Sequence, residues 1–415
     1  MAARARRPRP LRILLVTRGS AGHVLPLAPF GRACAAAGHE VTVAAQRAHR
    51  GNVERTGLSF APLDGPADED WMPLLGAFAR TGVDEAHAVQ VCEFFARLDL
   101  RAALPGLQEI VTRLRPDLML RDSWEFASTV VAEAHGVPLA RVGLGLAAVE
   151  EQTIRLAALP VDGARRDAGL SPDPQGDRMR DSPYLTVVPA PLEDPGVAAP
   201  RATHRFRAPQ ASGLPPPPLP PVTSAEGRPL VHLTFGSVAP LPHLPYFPDL
   251  YRAAIDGLAA LPVDLLVTVG AGRDPAELGP VPENVRVERW VDLDAVAARA
   301  DVIVGHGGYG TTLTALAHGV PQVVVPLFSG DQWANAAAVT RTGAGLSLDA
   351  DRATRTVFGM PARAQIDGLA EAVRTVLHDG FHRRRAQMIA GSIAALPPVD
   401  DAVAILERIA DRAPA

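Results

Sequence analysis

The sequence contains no lysine: all 41 basic side chains are arginine. That absence removes whole reaction classes, because a Schiff-base enzyme and a Walker-type phosphate-loop ATPase both need a lysine amine. Cysteine is almost as scarce. Cys34 and Cys92 stand in apolar helical patterns without a C-x-x-C pair, which predicts reduced core thiols and no structural metal. Long hydrophobic runs are missing too, and no stretch approaches membrane-spanning length. Residues 11–17 are too few for a signal-peptide core and lack a small-residue cleavage site, so they read as the first strand of a cytoplasmic protein. A net charge of −4 supplies no electrostatic reason to bind nucleic acid, and the arginines in residues 4–9 read as a solvated tail.

A length of 415 residues predicts two or three domains. The N-terminal half opens with the strand at 11–17. An amphipathic helix over 25–37 follows, with Gly38 as its stop, then strands at 41–44 and 117–120. Strand–helix–strand alternation predicts a parallel sheet of Rossmann type. Residues 60–105 look less regular. In a chain only 5% aromatic they concentrate Trp71, Phe78, Phe94 and Phe95 beside His87, either as core packing or as the wall of a hydrophobic acceptor pocket. Residues 214–221 are almost all proline, a stiff polyproline II segment unable to enter a helix interior or a central strand. Beyond it the rhythm restarts, with strands at 230–235, 265–269, 285–287, 302–304 and 323–325. The expected architecture is α/β: two Rossmann-like parallel-sheet domains facing across a cleft, with ligands at the carboxyl ends of the strands. The domains are expected at 1–213 and 229–390, joined by a linker at 214–228 and followed by a closing segment at 391–415.

The chemistry concentrates at two turns. His306-Gly-Gly-Tyr-Gly-Thr-Thr312 follows an apolar run and opens a helical stretch. A helix N-terminus reached through such a turn presents free N–H groups and partial positive charge, which suits a phosphate; simple loop geometry is the bland alternative. The next strand leads to Asp331-Gln332 at a second loop-to-helix junction, suggesting a diphosphate at the first turn and sugar hydroxyls at the second. In the other half, Gly19-Ser-Ala-Gly22-His23 follows the first strand, with Pro26 closing the turn. This is not the dinucleotide fingerprint, since the spacing is GxxGH and no acid ends the second strand. A histidine at such a mouth faces the cleft, and an unperturbed imidazole (pKa about 6.5) suits general-base work; a structural turn histidine is the alternative. Asp122, after the strand in P-D-L-M-L-R-D, can orient that imidazole. Asp117, at the strand start, is the competing carboxylate.

In this order the motifs resemble family-1 glycosyltransferases of the GT-B fold, and among them the actinomycete antibiotic and polyketide enzymes. The resemblance runs along nearly the whole chain and is tight in the motifs quoted. It implies an inverting hexosyltransferase that needs no metal and no cofactor beyond its nucleotide-sugar co-substrate. His23 would be the base and Asp122 its partner. His306 and the backbone of Gly307, Gly308, Tyr309 and Gly310, with the Thr311 hydroxyl, would hold the diphosphate, with Gly236 and Ser237 facing it from the opposite loop. Trp290 would stack on the nucleobase and Val291 bond its edge, unless Trp290 is a core residue. Asp331 and Gln332 would bond the sugar, and Trp71, Phe78, Phe94 and Phe95 would line the acceptor side. A last helix at 399–409 would return to the first domain.

There are departures from the plant members. Thr314 stands where they place a ribose-binding glutamate, Gly330 lengthens the path from His306 to Asp331 by one residue, and Leu293 replaces a glutamine. Thr314 favours a thymidine-diphosphate (TDP) sugar over the uridine-diphosphate alternative, because a deoxyribose asks less of that position. The implied partners are a small-molecule aglycone and the sugar donor, acting on a monomer or homodimer. A non-catalytic accessory protein and a nicotinamide oxidoreductase are the rivals from other classes.

Overall fold

Every strand pairing in this computed structural model is parallel among the described residues, which are 9–78, 81–208, 227–349 and 355–411. The Phe78 side chain and linker residues 214–226 lie outside the described set. The first domain contributes β1 (Arg12–Val16), β2 (Glu40–Gln46), β3 (Ser59–Leu63), β4 (Leu118–Asp122), β5 (Leu139–Val142), β6 (Tyr184–Thr186) and β7 (Thr203–Arg205). They form a seven-stranded sheet in the order β3-β2-β1-β4-β5-β6-β7. The second contributes β8 (Leu230–Thr234), β9 (Asp264–Thr268), β10 (Val285–Glu288), β11 (Val302–Gly305), β12 (Gln322–Val324) and β13 (Gly345–Ser347), a six-stranded sheet in the order β10-β9-β8-β11-β12-β13. The central strands are buried on both faces, as Ile13-Leu-Leu-Val16 and Val302-Ile-Val304 require. Helices cover both sides of a parallel sheet, so its strands read as unbroken apolar runs.

Each sheet reverses its strand order once, between β1 and β4 and between β8 and β11. At such a switch point the loops leaving the two strands diverge to opposite faces and leave a crevice at their carboxyl ends. The loops that follow these four strands begin at Thr17, Ser123, Phe235 and His306. The topology alone therefore collects the GxxGH turn with Asp122, and Gly236-Ser237 with the His306 turn.

Two expectations need correction. Residues 60–105 are regular: β3 is followed by helices Asp68–Phe78 and Val83–Val89, then a π-helical run Gln90–Asp99 that passes directly into helix Leu100–Leu114. The π-helical run carries Val91, Phe94, Phe95 and Leu98 at helical spacing, so the apolar pattern of a helix was present in the sequence. Pro26 also does not close a turn. The helix already spans Ala21–Ala36, with Pro26 and Pro29 inside it, which places His23 in its first turn. Ser20 supplies the carbonyl that accepts from the His23 and Val24 amides at 2.9 Å.

The domains meet over an apolar seam in which Leu146, Val188 and Leu192 pack with Leu316, Ala338 and Ile389. A backbone bridge joins Gly82 to Thr356. Beyond helix Gly380–Ala394 the chain crosses back, the Arg207 amide donating to the Pro397 carbonyl at 2.9 Å. Helix Ala402–Asp411 then buries Ala402, Val403 and Leu406 in the core beneath β1 and β2. Cys34 is buried and Cys92 half-buried, both unpaired, and burial pushes the Cys34 thiol up to about 12. No described helix is long and apolar enough to cross a membrane.

Candidate active site

His23, in the first turn of the helix after β1, and Asp122, at the end of the neighbouring β4, meet at the first switch point. Asp122 ends β4, fully buried, and its Oδ2 lies 3.2 Å from His23 Nδ1. The Trp124 amide donates to Oδ1 at 2.9 Å and the Arg18 amide to Oδ2 at 3.3 Å. Burial opposes ionisation of Asp122, but the facing His23 and hydrogen bonds from His23, Thr17 and the Trp124 amide outweigh it and hold the carboxyl below its usual range. The neighbouring Glu125 behaves in the opposite way, pushed up to about 7 by burial. Two adjacent carboxyls are thereby separated in acidity, and the one left ionised at neutral pH faces the imidazole. Asp117 sits at the other end of β4, bonded to the Arg12 amide at 2.8 Å and paired with Arg9 at 2.6 Å, far from this crevice. A cavity of about 550 Å³ at that end is lined by Arg9, Arg115, Asp117 and His135, and contains none of the residues expected to do chemistry.

An aromatic row runs outward from His23. Its ring meets Phe95 at 6.3 Å and Trp124 at 6.2 Å edge-on, Phe95 meets Phe94 at 5.6 Å, and Phe94 meets Trp71 at 6.0 Å. Phe95 is buried, as core packing requires, whereas Phe94 and Trp71 are partly open. The Arg18 guanidinium lies 3.9 Å from the Phe95 ring centre and pairs with Asp99, the last residue of the π-helical run. Trp124, Arg18 and Asp99 escaped sequence reasoning. Trp124 stands two residues after Asp122, a proximity that could have singled it out; the Arg18–Asp99 pair joins positions 81 apart and left no local signal.

At the second switch point β11 delivers His306, Gly307 and Gly308 to the start of helix Tyr309–Ala317. The His306 ring is packed between two glycines. A Cβ on Gly236 or on Gly308 would stand 2.6 Å from its Cε1, and both positions therefore need glycine. Phe328 stacks on the ring at 6.2 Å, and burial lowers His306 to about 4. In the free protein at neutral pH His306 thus offers a neutral ring N–H rather than a positive charge. The Asn335 amide, another residue that sequence reasoning missed, donates to the Gly307 carbonyl at 2.8 Å and fixes the turn. Ser237 is exposed beside it, as is the Gly310 position, and Thr311 and Thr314 are partly open. Trp290 is 68% exposed just past β10, which removes the core alternative, and Val291 beside it is partly buried. Asp331 is partly open, with its carboxylate bonded by the Ser329 hydroxyl. Gln332 is buried and its Oε1 accepts from the Leu327 and Phe328 amides at 2.8 and 3.1 Å, leaving Nε2 as the part of this side chain with hydrogens to give.

Residues 252–409 match the family described as Erythromycin biosynthesis protein CIII-like, C-terminal domain. The chain is 32% identical to an L-demethylnoviosyl transferase from Streptomyces niveus, over 93% of this chain and 95% of that protein. It is 30% identical to a 4'-demethylrebeccamycin synthase from Lentzea aerocolonigenes, over 95% and 99% respectively. The solved glycosyltransferase SnogD from Streptomyces nogalater superposes with a TM-score of 0.74 at 26% identity, covering 97% of this chain and 100% of SnogD. The chain belongs to the actinomycete antibiotic glycosyltransferases. Its two parallel sheets are those of the GT-B fold, and it is a sugar-transferring enzyme. Among the described residues of this glycosyltransferase no three His, Cys, Asp or Glu side chains cluster as metal ligands would.

The buried histidines of the donor domain carry a stability consequence. His306 and His232 are both lowered to about 4 by burial, whereas an unfolded imidazole titrates near 6.5. The fold binds fewer protons than the unfolded chain between those values. Stability is therefore complete above about pH 6.5 and is lost as the pH falls toward 4. His232→Asn removes one of these groups and keeps a partner for the Thr268 hydroxyl, which lies 3.2 Å from His232 Nε2. Between pH 7 and pH 5 the wild type should lose about 2 kcal/mol more stability than this variant, measured by urea denaturation at each pH. Equal losses would mean that solvent reaches the ring.

Proposed function

We propose that this enzyme moves a deoxysugar from a TDP-sugar to a hydroxyl of a hydrophobic natural-product aglycone, with inversion at the anomeric carbon and no requirement for metal. The reading rests above all on the His23–Asp122 contact of 3.2 Å at a switch point. Nδ1 is engaged with the carboxylate, so Nε2 is the nitrogen free to take the acceptor proton as the hydroxyl oxygen attacks the anomeric carbon. The ionised Asp122 stabilises the imidazolium formed. The bond from the anomeric carbon to the diphosphate oxygen breaks on the opposite face, and the charge left behind meets the free N–H groups at the start of helix Tyr309–Ala317 and the His306 ring N–H. The aromatic row of Trp71, Phe94 and Phe95 offers the aglycone an apolar wall. Turnover should be unchanged by a chelator, and proton coupling at the product's anomeric centre should report inversion.

Thr314 supports the choice of thymidine, because no carboxylate stands there to bind a ribose diol. Calorimetry with TDP and uridine diphosphate tests it: TDP should bind more tightly, and a uridine preference would discard the Thr314 argument while leaving the mechanism intact. Trp290→Ala should weaken TDP binding about tenfold through lost stacking on an exposed ring, and unchanged affinity would place the base elsewhere.

A further inference from the structure

Tyr309 does more than occupy a position in the diphosphate turn. It is the first residue of helix Tyr309–Ala317 in the donor domain, yet its phenol reaches into the acceptor domain and donates to the Gly143 carbonyl at 3.3 Å. The buried Thr186 hydroxyl on β6 also meets it. Burial pushes the phenol above its usual range, so it remains a donor at every working pH.

Gly143 begins a loop, residues 143–146, that a buried polar network holds in place. Glu150 is 1% exposed; its Oε1 accepts from the Leu144 amide at 2.9 Å, the Gly145 amide at 3.1 Å and the Ser123 hydroxyl at 2.8 Å. Arg141 balances the charge at 3.4 Å. Gly143 itself has no room for a side chain, since a Cβ would stand 2.0 Å from the Tyr184 hydroxyl oxygen. The other end of the network is Ser123, the residue after Asp122, whose amide donates to the Val142 carbonyl at 2.9 Å. A set of buried bonds therefore runs from the residue beside the catalytic carboxylate through Glu150 to the 143–146 loop, and the half-buried Tyr309–Gly143 bond joins that loop to the turn that would hold the diphosphate. Low local dielectric strengthens each buried bond in such a chain and couples its members.

We propose that Tyr309 is a positioning residue, which ties the diphosphate turn of one domain to the Asp122 side of the other and so sets the distance between donor and base. The inference rests on the functional reading above. It matters because misplacing reacting groups by about 1 Å can cost about a hundredfold in rate, and the two halves of the site belong to separate domains.

Tyr309→Phe keeps the ring in the apolar seam with Leu313 and Leu316 and removes the hydroxyl alone. Hydrogen exchange read by mass spectrometry on the full chain should show faster exchange in the variant at residues 306–312 and 143–147, by about three- to tenfold for one hydrogen bond lost. The calorimetric affinity for TDP should stay within about twofold, because the diphosphate groups all lie in the donor domain. With a TDP-6-deoxyhexose and a phenolic acceptor, kcat should fall by about three- to tenfold while the thermal midpoint holds. Ser123→Ala cuts the network at its far end, and the double variant should exchange no faster than the more affected single variant. Unchanged exchange in Tyr309→Phe, or effects that multiply in the double variant, would overturn the proposal. Failure of the wild type to bind TDP would count against the donor reading instead, leaving the exchange measurement to decide on Tyr309.

Discussion

Replacing His23 by alanine should lower kcat by about 10²–10⁴-fold while TDP still binds as in the wild type. The size follows from what is lost. An acceptor hydroxyl is a poor nucleophile until its proton is taken, and His23 is the imidazole with one nitrogen against a buried carboxylate and the other free. Donor affinity should survive because the His306 turn, Trp290 and the Asp331 junction all belong to the other domain. The ring also packs edge-on against Phe95 and Trp124, so His23→Gln is the useful companion: it restores part of the volume without a base. Both variants should be equally slow. If His23→Ala turned over at the wild-type rate, the base would have to be found elsewhere.

Asp122→Asn should cost a similar factor, about 10²–10⁴-fold in kcat, by a different route. The carboxylate is fully buried and already accepts from two backbone amides besides facing His23. An amide can keep one oxygen but must turn an NH₂ toward a neighbouring donor or toward His23 Nδ1. The first leaves buried N–H groups without an acceptor; the second forces the other imidazole tautomer, whose Nε2 carries a proton and cannot act as base. Asp117→Asn is the internal control. That residue anchors Arg9 and the Arg12 amide at the far end of the same strand, and its removal should leave kcat within about twofold. A large loss from Asp117→Asn with a small one from Asp122→Asn would reverse the assignment of the two carboxylates.

The alternation of apolar strands, glycine turns and helices was readable without any structure, because each strand–turn–helix unit is encoded within about twenty consecutive residues and its burial pattern is local. That is why the two-sheet α/β architecture, the His306 turn and the His23 turn could all be located in the chain, and why the absence of lysine already excluded other chemistries. Some elements were not readable. β3 carries Pro62 and ends in Leu63 with little periodicity, and the apolar spacing of Gln90–Asp99 does not distinguish π- from α-helical hydrogen bonding. Pro26 reads as the close of the turn after His23, yet the helix begins at Ala21 and runs through it, with Val24, Leu27 and Phe30 buried on its inner face.

What tertiary structure decided was the state of each group. The neutrality of His306 comes from Phe328 and two glycines that lie far from one another in the chain; the contrast between Asp122 and Glu125 comes from which buried atoms each one faces; and the reach of Tyr309 into the opposite domain depends on a seam between segments more than a hundred residues apart. Sequence determines which side chains occupy a turn because turns are local. Charge state, tautomer and distance to a partner are set by desolvation and by long-range contacts, which exist only once the sheets have packed.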